Sequence, residues 1–443
     1  MSRVRITSNS QGLFVGPAPS TGFHFIDSAG NPTPDVNAIN LLKQLNGLQS
    51  LNYEIVNNRV PISELGRRAT VKRAIITPPE VNVNFSYLAS DLKNEIRMGF
   101  DVNFHTGGPE IGGAAWTDGL YKNNTGVFCL SGFLSRETGA AYSGVQWGDP
   151  ASAITGSWPY SDRDKRNLYM SIAPEGSDLK DQPQGEYDKI HCVSFGDCHI
   201  ASYSVGFELN SPILVNTSYN CANIQYHSSG SGLIPAMNTK TFTPVNNNIF
   251  VIPKLKGEVS GNVSGVAEPL RIGDMDLRIS APLYGTEKED ILDAGVNYRD
   301  LSIQLANFSI EINRHTWKGL GHKLPVDRPI KYPIIVKTSI KGIMGDTRTG
   351  DLYNFITKDY PYDLTFECRA PTMWCPGFQQ DIRLRYDVLQ SNLDNFSFSN
   401  SVNEEVTVEL NYITDVAEKI GGQGIFMSGM VFETGFGFSG FNF

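Results

Sequence analysis

Apolar and polar residues alternate with a period of two where Leu51, Tyr53 and Ile55 face Asn52 and Glu54. That is the repeat of a strand with one buried face. The alternation returns over residues 303–313, and the agreement extends well beyond pattern. Residues 49–81 match residues 304–336 without a gap, with twelve identities in thirty-three positions. They pair Gln49, Asn52, Ile55, Asn58, Arg59, Leu65, Gly66, Val71, Arg73, Ile75, Pro78 and Val81 with Gln304, Asn307, Ile310, Asn313, Arg314, Leu320, Gly321, Val326, Arg328, Ile330, Pro333 and Val336. The expectation is one structural unit written twice, serving as two binding domains or as a pseudo-symmetric building block.

In each copy the alternating strand is followed by a long punctuated connection, residues 59–79 and 314–333. The first carries Pro61, Gly66 and Pro78. A connection of about twenty residues exceeds what a hairpin needs and suits a functional arm. Arg59, Arg73, Arg314 and Arg328 stand at equivalent positions at the two ends of these connections. Two readings are open for them: an internal ion pair at the loop base, or a contact with another subunit. Glu64, Arg67, Arg68, Lys72, His315, Lys318, His322 and Lys323 complete the set of candidate contact residues in the two loops.

Elsewhere the pattern gives an N-terminal arm over 1–47, rich in Ser, Gly and Pro, with a short helical spacing over 37–45. A strand is expected over 81–87, then a helix over 91–98 capped by Ser90. Residues 201–209 and 214–224 form an antiparallel pair around a Ser211-Pro212 turn, and 396–400 with 406–412 play that part in the second copy. The division expected is an arm (1–47), a first β domain (48–227) with an insertion at about 107–188, a linker (228–250) and a second β domain (251–443). The last segment spaces Phe436, Phe438, Phe441 and Phe443 between Gly and polar residues. Either it is a frayed low-complexity end, or it docks on a neighbouring surface, because four exposed rings cost about 1.5–3 kcal/mol each.

Composition supports an all-β fold, since the 443 residues hold 24 Phe and 18 Tyr with only 19% charged residues. A net charge of −9 argues against gripping nucleic acid through phosphates, which needs clustered Lys and Arg. No leader-like apolar segment and no apolar run of about 18 residues occurs, so synthesis in a cytoplasm is expected, with no membrane role. Six cysteines are too sparse for a disulfide scaffold and are expected as thiols.

Chemical motifs are few. His191-Cys192 and Cys198-His199 do not have the ligand spacing of a structural zinc site. Cys368 and Cys375 could pair across a turn, although buried thiols suit a cytoplasmic product better. Asp162 with Asp164, and Asp274 with Asp276, lack the remaining ligands of a calcium loop. Phosphate-cradling, zincin, nucleophile-elbow and dinucleotide patterns are missing from the sequence. The expectation is therefore no catalytic residue, no metal and no cofactor. Trp116, Trp147 and Trp158, with Tyr142 and Tyr160, leave a sugar-stacking platform as a further reading.

The strand-loop-strand unit with Leu65-Gly66 and Leu320-Gly321 at its loop centres resembles the opening hairpin of tail tube, or major tail, proteins of long-tailed bacteriophages. The run Tyr169-Met170-Ser171-Ile172-Ala173-Pro174-Glu175-Gly176, then Ala201-Ser202-Tyr203-Ser204-Val205 and 220–224, is similar to that family's closing strands. The resemblance implies β-sandwich or barrel domains with a flanking helix, joined sheet to sheet into rings that stack through the long loop. A tandem copy resembles the members in which three two-domain chains make a pseudo-sixfold ring. It further implies a structural virion protein, with itself, a tape measure protein, a tail terminator and tail tip proteins as partners, and double-stranded DNA passing without specific binding. A tail hub, adaptor or capsid-associated protein is the alternative, and a carbohydrate-binding or glycan-degrading virion protein the second.

Overall fold

The alternating segments become strands and join edge to edge into one large, almost wholly antiparallel sheet. The computed structural model of the chain describes residues 11–17, 43–57, 59–75, 80–90, 93–98, 100, 103–104, 165–173, 191–228, 233–235, 249–251, 269–270, 275–280, 301–320, 324–325, 327–344, 361–369, 382–399, 405–416 and 424–429. The earlier strands are β1 (Gln11–Pro17), β2 (Lys43–Gln44), β3 (Leu48–Val56), β4 (Arg59–Ile62), β5 (Lys72–Ile75), β6 (Glu80–Leu88), β7 (Asn103–Phe104), β8 (Lys165–Ile172), β9 (His191–Glu208), β10 (Leu214–Cys221) and β11 (Asn223–Ser228). The later ones are β12 (Leu233–Pro235), β13 (Ile249–Val251), β14 (Met275–Ser280), β15 (Leu301–Glu311), β16 (Ile334–Met344), β17 (Tyr362–Arg369), β18 (Ile382–Ser399), β19 (Thr407–Val416) and β20 (Gly424–Gly429). Helix α1 (Lys93–Met98) follows β6. The fold is all-β.

Strand order is the same in both stretches. The first runs β3-β6-β10-β9-β8-β1, the second β15-β16-β19-β18-β17-β14, and β11 and β20 flank β9 and β18 alike. Register agrees too: Val81 faces Cys221 where Val336 faces Thr414. The irregularities also recur. β3 slips against β6 between Leu48 and Ser50, and β15 against β16 between Ile303 and Leu305. The bulges thus fall at Gln49 and Gln304, identical residues of the matched segment.

The long strands β9 and β18 each serve two layers. The first half of β9 pairs with β8 and β11, and the second half with β10. Asp197 (φ 54) and Gln390 (φ 57) adopt left-handed backbone at corresponding points of β9 and β18. Each is held there by its own N–H, which donates to Asn167 Oδ1 at 3.1 Å and to Asp363 Oδ1 at 2.9 Å respectively. A left-handed residue beside a bulge re-aims a strand, which lets one strand bridge facing layers. Those layers touch through rings: Tyr53 on Phe195 at 5.4 Å, and Phe308 on Phe366 at 5.8 Å and Tyr386 at 4.8 Å.

In the layer of β3, β6, β10 and the second half of β9, the last three turn an apolar face inward. Val81, Val83, Phe85, Tyr87, Val215, Tyr219, Tyr203 and Val205 are buried. The opposite face shows Asn and Ser, among them Asn52, Asn84, Asn216, Ser218, Ser202 and Ser204, continued by Asn307, Ser309 and Asn411. Cross-strand hydroxyl contacts at 2.6 Å join Ser50 to Ser86 and Ser202 to Ser218.

Several expectations need correcting. Within the supposed arm, Gln11–Pro17 is a central strand, with Leu13, Phe14 and Val15 buried and β8 paired along its whole length. The helical spacing over 37–45 ends instead in strand β2, whose residues pair with β1, and in buried Leu45, while 37–42 lie outside the described residues. The segment 107–188 is not wholly an insertion, because Lys165–Ile172 forms β8 in the core. Within the linker, β12 and β13 pair with each other, and β11 reaches Ser228. The helix after Ser90 forms, over Lys93–Met98. Phe436, Phe438, Phe441, Phe443, the three Trp and two Tyr of the sugar platform, His322 and Lys323 lie outside the described residues, as do Cys375, Asp162, Asp164 and Asp274, while Asp276 pairs with Glu367 in β14.

One buried ionic cluster stiffens the second stretch. Arg385 Nη1 donates to Glu367 Oε1 at 3.0 Å, and Nε and Nη2 donate to Asp387 at 3.0 and 2.9 Å. Thr365 Oγ1 donates to Asp387 at 2.7 Å. Removing the cation takes its charge from two buried carboxylates, Asp387 keeping the Thr365 hydroxyl and Glu367 the part-exposed Arg278 at 3.4 Å, so Arg385→Met is expected to lower stability by about 3–5 kcal/mol. Chemical denaturation of both proteins checks this, and a loss below about 1 kcal/mol would contradict it.

Candidate assembly interface

The candidate geometry lies where the first stretch meets the second. β15 pairs antiparallel with the second half of β9, Leu305 opposite Glu208 through Glu311 opposite Ser202. Main-chain bonds extend the ladder at each end, Ile312 N–H to Ala201 O at 2.8 Å and Leu209 N–H to Gln304 O at 3.1 Å. On the inner face Phe308 lies opposite Val205, and Ile310 opposite Tyr203, all four fully buried. Phe308 is ringed by Tyr203, Phe207, Phe366 and Tyr386.

Beneath the joint α1 supplies a carboxylate. Glu95, buried, accepts from Tyr87 Oη at 2.6 Å and from Tyr203 Oη at 3.0 Å, and the Tyr203 and Tyr386 hydroxyls are 2.8 Å apart. Burial, and then the nearby Glu95 charge, push the Tyr87, Tyr203 and Tyr386 hydroxyls well above the ordinary tyrosine range. They stay protonated and can donate. Tyr386 belongs to the second stretch and Glu95 to the first, so the cluster spans the joint.

The connections fold as ribbons. β4 and β5 pair Arg59 with Ile75 and Ile62 with Lys72, and the later connection bridges Arg314 to Ile330 and Trp317 to Asp327, the same offsets. Their tips project fully, with Leu65 and Leu320 wholly exposed and Gly66 at φ +87. Glu64, Arg67, Arg68, Lys72, His315 and Lys318 are exposed along the ribbons.

At the base of the second ribbon the arginines reach across the joint. Arg314 Nε points to Ile200 O at 3.5 Å and its Nη1 donates to Arg328 O at 3.0 Å, while Arg328 Nη1 donates to Asn220 O at 3.0 Å. Ile200 and Asn220 belong to β9 and β10 of the first stretch. Arg59 and Arg73 hold the same two places on the first ribbon and are exposed.

The layer that carries this joint ends in two edges among the described residues. Among the described residues β3 pairs on one side, with β6, and residues 392–399 of β18 pair on one side, with β19. Large apolar side chains stand on both: Tyr53 is 37% exposed, Ile55 39% and Phe398 52%. The Tyr53 hydroxyl is pushed up to about 12 by its contact with Tyr226 and by partial burial.

The thiols are structural in position. Cys192, Cys198 and Cys221 are free and buried. Burial, and then the neighbouring Cys221, push the Cys198 thiol well up. Ser391 and Thr414 hold the corresponding places in the second stretch, as a hydroxyl pair 2.7 Å apart. Among the described residues no three His, Cys, Asp or Glu side chains gather as metal ligands, and no helix is long and apolar enough to cross a membrane.

No protein-family model and no curated protein matches the chain. Among solved structures it is similar to a chain in "Tail of empty GTA particle computed with helical refinement, C6 symmetry". The two are 15% identical with a TM-score of 0.18, over 31% of this chain and 89% of that one. That likeness is weak.

Proposed function

We propose that the chain is an internally duplicated structural subunit of a phage-type tail, without catalytic activity, whose sheets join into closed rings that stack as a tube. The supporting observation is the β9–β15 joint. Two similarly ordered sheets meet edge to edge inside one chain, and the edges of β3 and of residues 392–399, each paired on one side among the described residues, correspond to the two that meet. A border left open is a hazard unless a neighbour covers it, and a head-to-tail contact repeats until rotation closes a ring. Three chains, six sheets in all, is the ring we favour from the resemblance to tail tube proteins.

The Asn/Ser face is assigned to the channel. Its outward charges include Glu54, Glu311 and Glu409 against Lys337 and Lys341, so it offers little to hold phosphates. Double-stranded DNA and a tape measure protein are the expected occupants, with tail terminator and tip proteins at the tube ends. The ribbons with Leu65 and Leu320 at their tips are assigned to stacking between rings. Assembly would place the chain in the virion after synthesis in the host cytoplasm.

Electron microscopy of the purified chain tests this. Hollow rings or tubes are expected, and a dispersed monomer at every concentration overturns the reading. Discrete rings that never stack would point to the hub or adaptor alternative. Deleting residues 64–72 should leave rings and abolish tubes, and unimpaired tube growth refutes that role for the first ribbon.

A further inference from the structure

The internal joint serves as a template for the contact between chains. The registers already given place Tyr219 and Tyr412 at one position, since both follow from Val81 facing Cys221 and Val336 facing Thr414. Through the neighbouring strand, Val205 faces Val215 where Phe398 faces Val408, and Tyr203 faces Thr217 where Phe396 faces Leu410. Val205 therefore corresponds to Phe398 and Tyr203 to Phe396, while the ungapped match makes Phe308 correspond to Tyr53 and Ile310 to Ile55.

We infer that β3 of one chain pairs antiparallel with the outer half of β18 in a second copy, with Tyr53 opposite Phe398, Glu54 opposite Ser397 and Ile55 opposite Phe396, and that Arg59 and Arg73 fasten this contact. The inference rests on the ring-forming reading and specifies its seam. Three observations converge on it. Where the internal joint buries Phe308 and Val205 completely, the matching border residues Tyr53 and Phe398 are exposed. An apolar pair on opposite open borders, each at the place where its counterpart is covered, fits a strand of this same chain.

The second observation is the arginine pair. Arg314 and Arg328 reach the carbonyls of Ile200 and Asn220. Carried across the same correspondence, Arg59 and Arg73 meet the carbonyls of Leu393 and Ile413 in the next copy. Those residues sit opposite Tyr412 and Asn392 on the open side of the second stretch. The third is the ribbon geometry: Arg59 bridges Ile75 as Arg314 bridges Ile330, so the two guanidinium groups leave equivalent backbones. Identity at these arginines follows if both copies make the same contact, one within the chain and one between chains.

Paired cysteines test the register in the full-length chain. In Glu54→Cys with Ser397→Cys, mild oxidation of the assembled protein is expected to give covalent multimers. Glu54→Cys with Ser399→Cys, one pair out of register, should give at least tenfold less, and each single variant none beyond the parent chain. A companion variant, Arg59→Ala with Arg73→Ala, should raise the concentration needed for assembly at least tenfold while its melting temperature as a monomer stays unchanged. Arg314→Ala with Arg328→Ala should instead lower that melting temperature. Assembled rings in which the 54–397 pair does not react overturn this seam and leave the tail reading standing. Wild-type protein that never associates overturns both.

Discussion

Truncating Phe308 to alanine is expected to cost about 3–5 kcal/mol, because a fully buried ring packed among four others leaves a cavity that rigid strands cannot fill. The same change at Tyr53, its counterpart on the open border, should cost the isolated chain under about 1 kcal/mol, since the ring is partly in solvent and makes one edge contact with Phe195 and one exposed hydroxyl contact with Tyr226 at 3.3 Å. Assembly should respond in the opposite order. Tyr53→Ala is expected to raise the concentration for ring formation by an order of magnitude or more while the monomer stays folded. Denaturant titration and sedimentation of both variants check the pair. Equal stability losses at the two sites would mean that Tyr53 is not a border residue.

Stability is also expected to collapse at alkaline pH. Burial raises the Tyr87, Tyr203, Tyr219, Tyr386 and Tyr412 hydroxyls above the ordinary value of 10.0. Their contribution is complete below pH 10, where both states are protonated. Above it the unfolded chain releases protons that the folded chain retains, so stability falls as pH rises toward the folded values. Each group contributes a slope of about 1.4 kcal/mol per pH unit, and five together about 7, as much as a domain's whole stability. The fall begins earlier through the thiols, because burial pushes Cys192 up to about 12 from 9.0. Denaturation midpoints measured from neutral pH to about 11 should drop steeply above 10, and a flat profile contradicts the buried hydroxyl cluster.

What could be read beforehand follows from how burial shapes pattern. β6, β10, β15 and β19 bury one face and show solvent, or a neighbour's polar groups, on the other, so their alternation is plain, and β3 alternates in residue type although Tyr53 and Ile55 are exposed. β1 and the first half of β9 are buried on both faces, Leu13-Phe14-Val15 and 192–199 being covered throughout. Such strands have no period, and the glycines and proline around β1 look like an arm. The agreement between stretches is likewise larger than identity reveals. Asn167 and Asp363 share a task, as do Asp197 and Gln390, but the task needs only a carbonyl-type oxygen facing a main-chain N–H. The four arginines stand out because they are identical, whereas the targets of Arg314 and Arg328 are backbone carbonyls of Ile200 and Asn220, which any residue could supply. Glu95 carried no signal, since a lone acid on a short helix looks solvated until the tyrosines above it are placed.

The seam between β9 and β15 has a consequence for mass action. Because both partners are tethered on one polypeptide, that seam closes at any dilution, with a local concentration set by the connecting segment. A circle built from such chains makes only every second seam by collision. Half the closures escape the concentration threshold, so growth begins at lower protein levels and with a gentler dependence on dose than for separate single-sheet subunits.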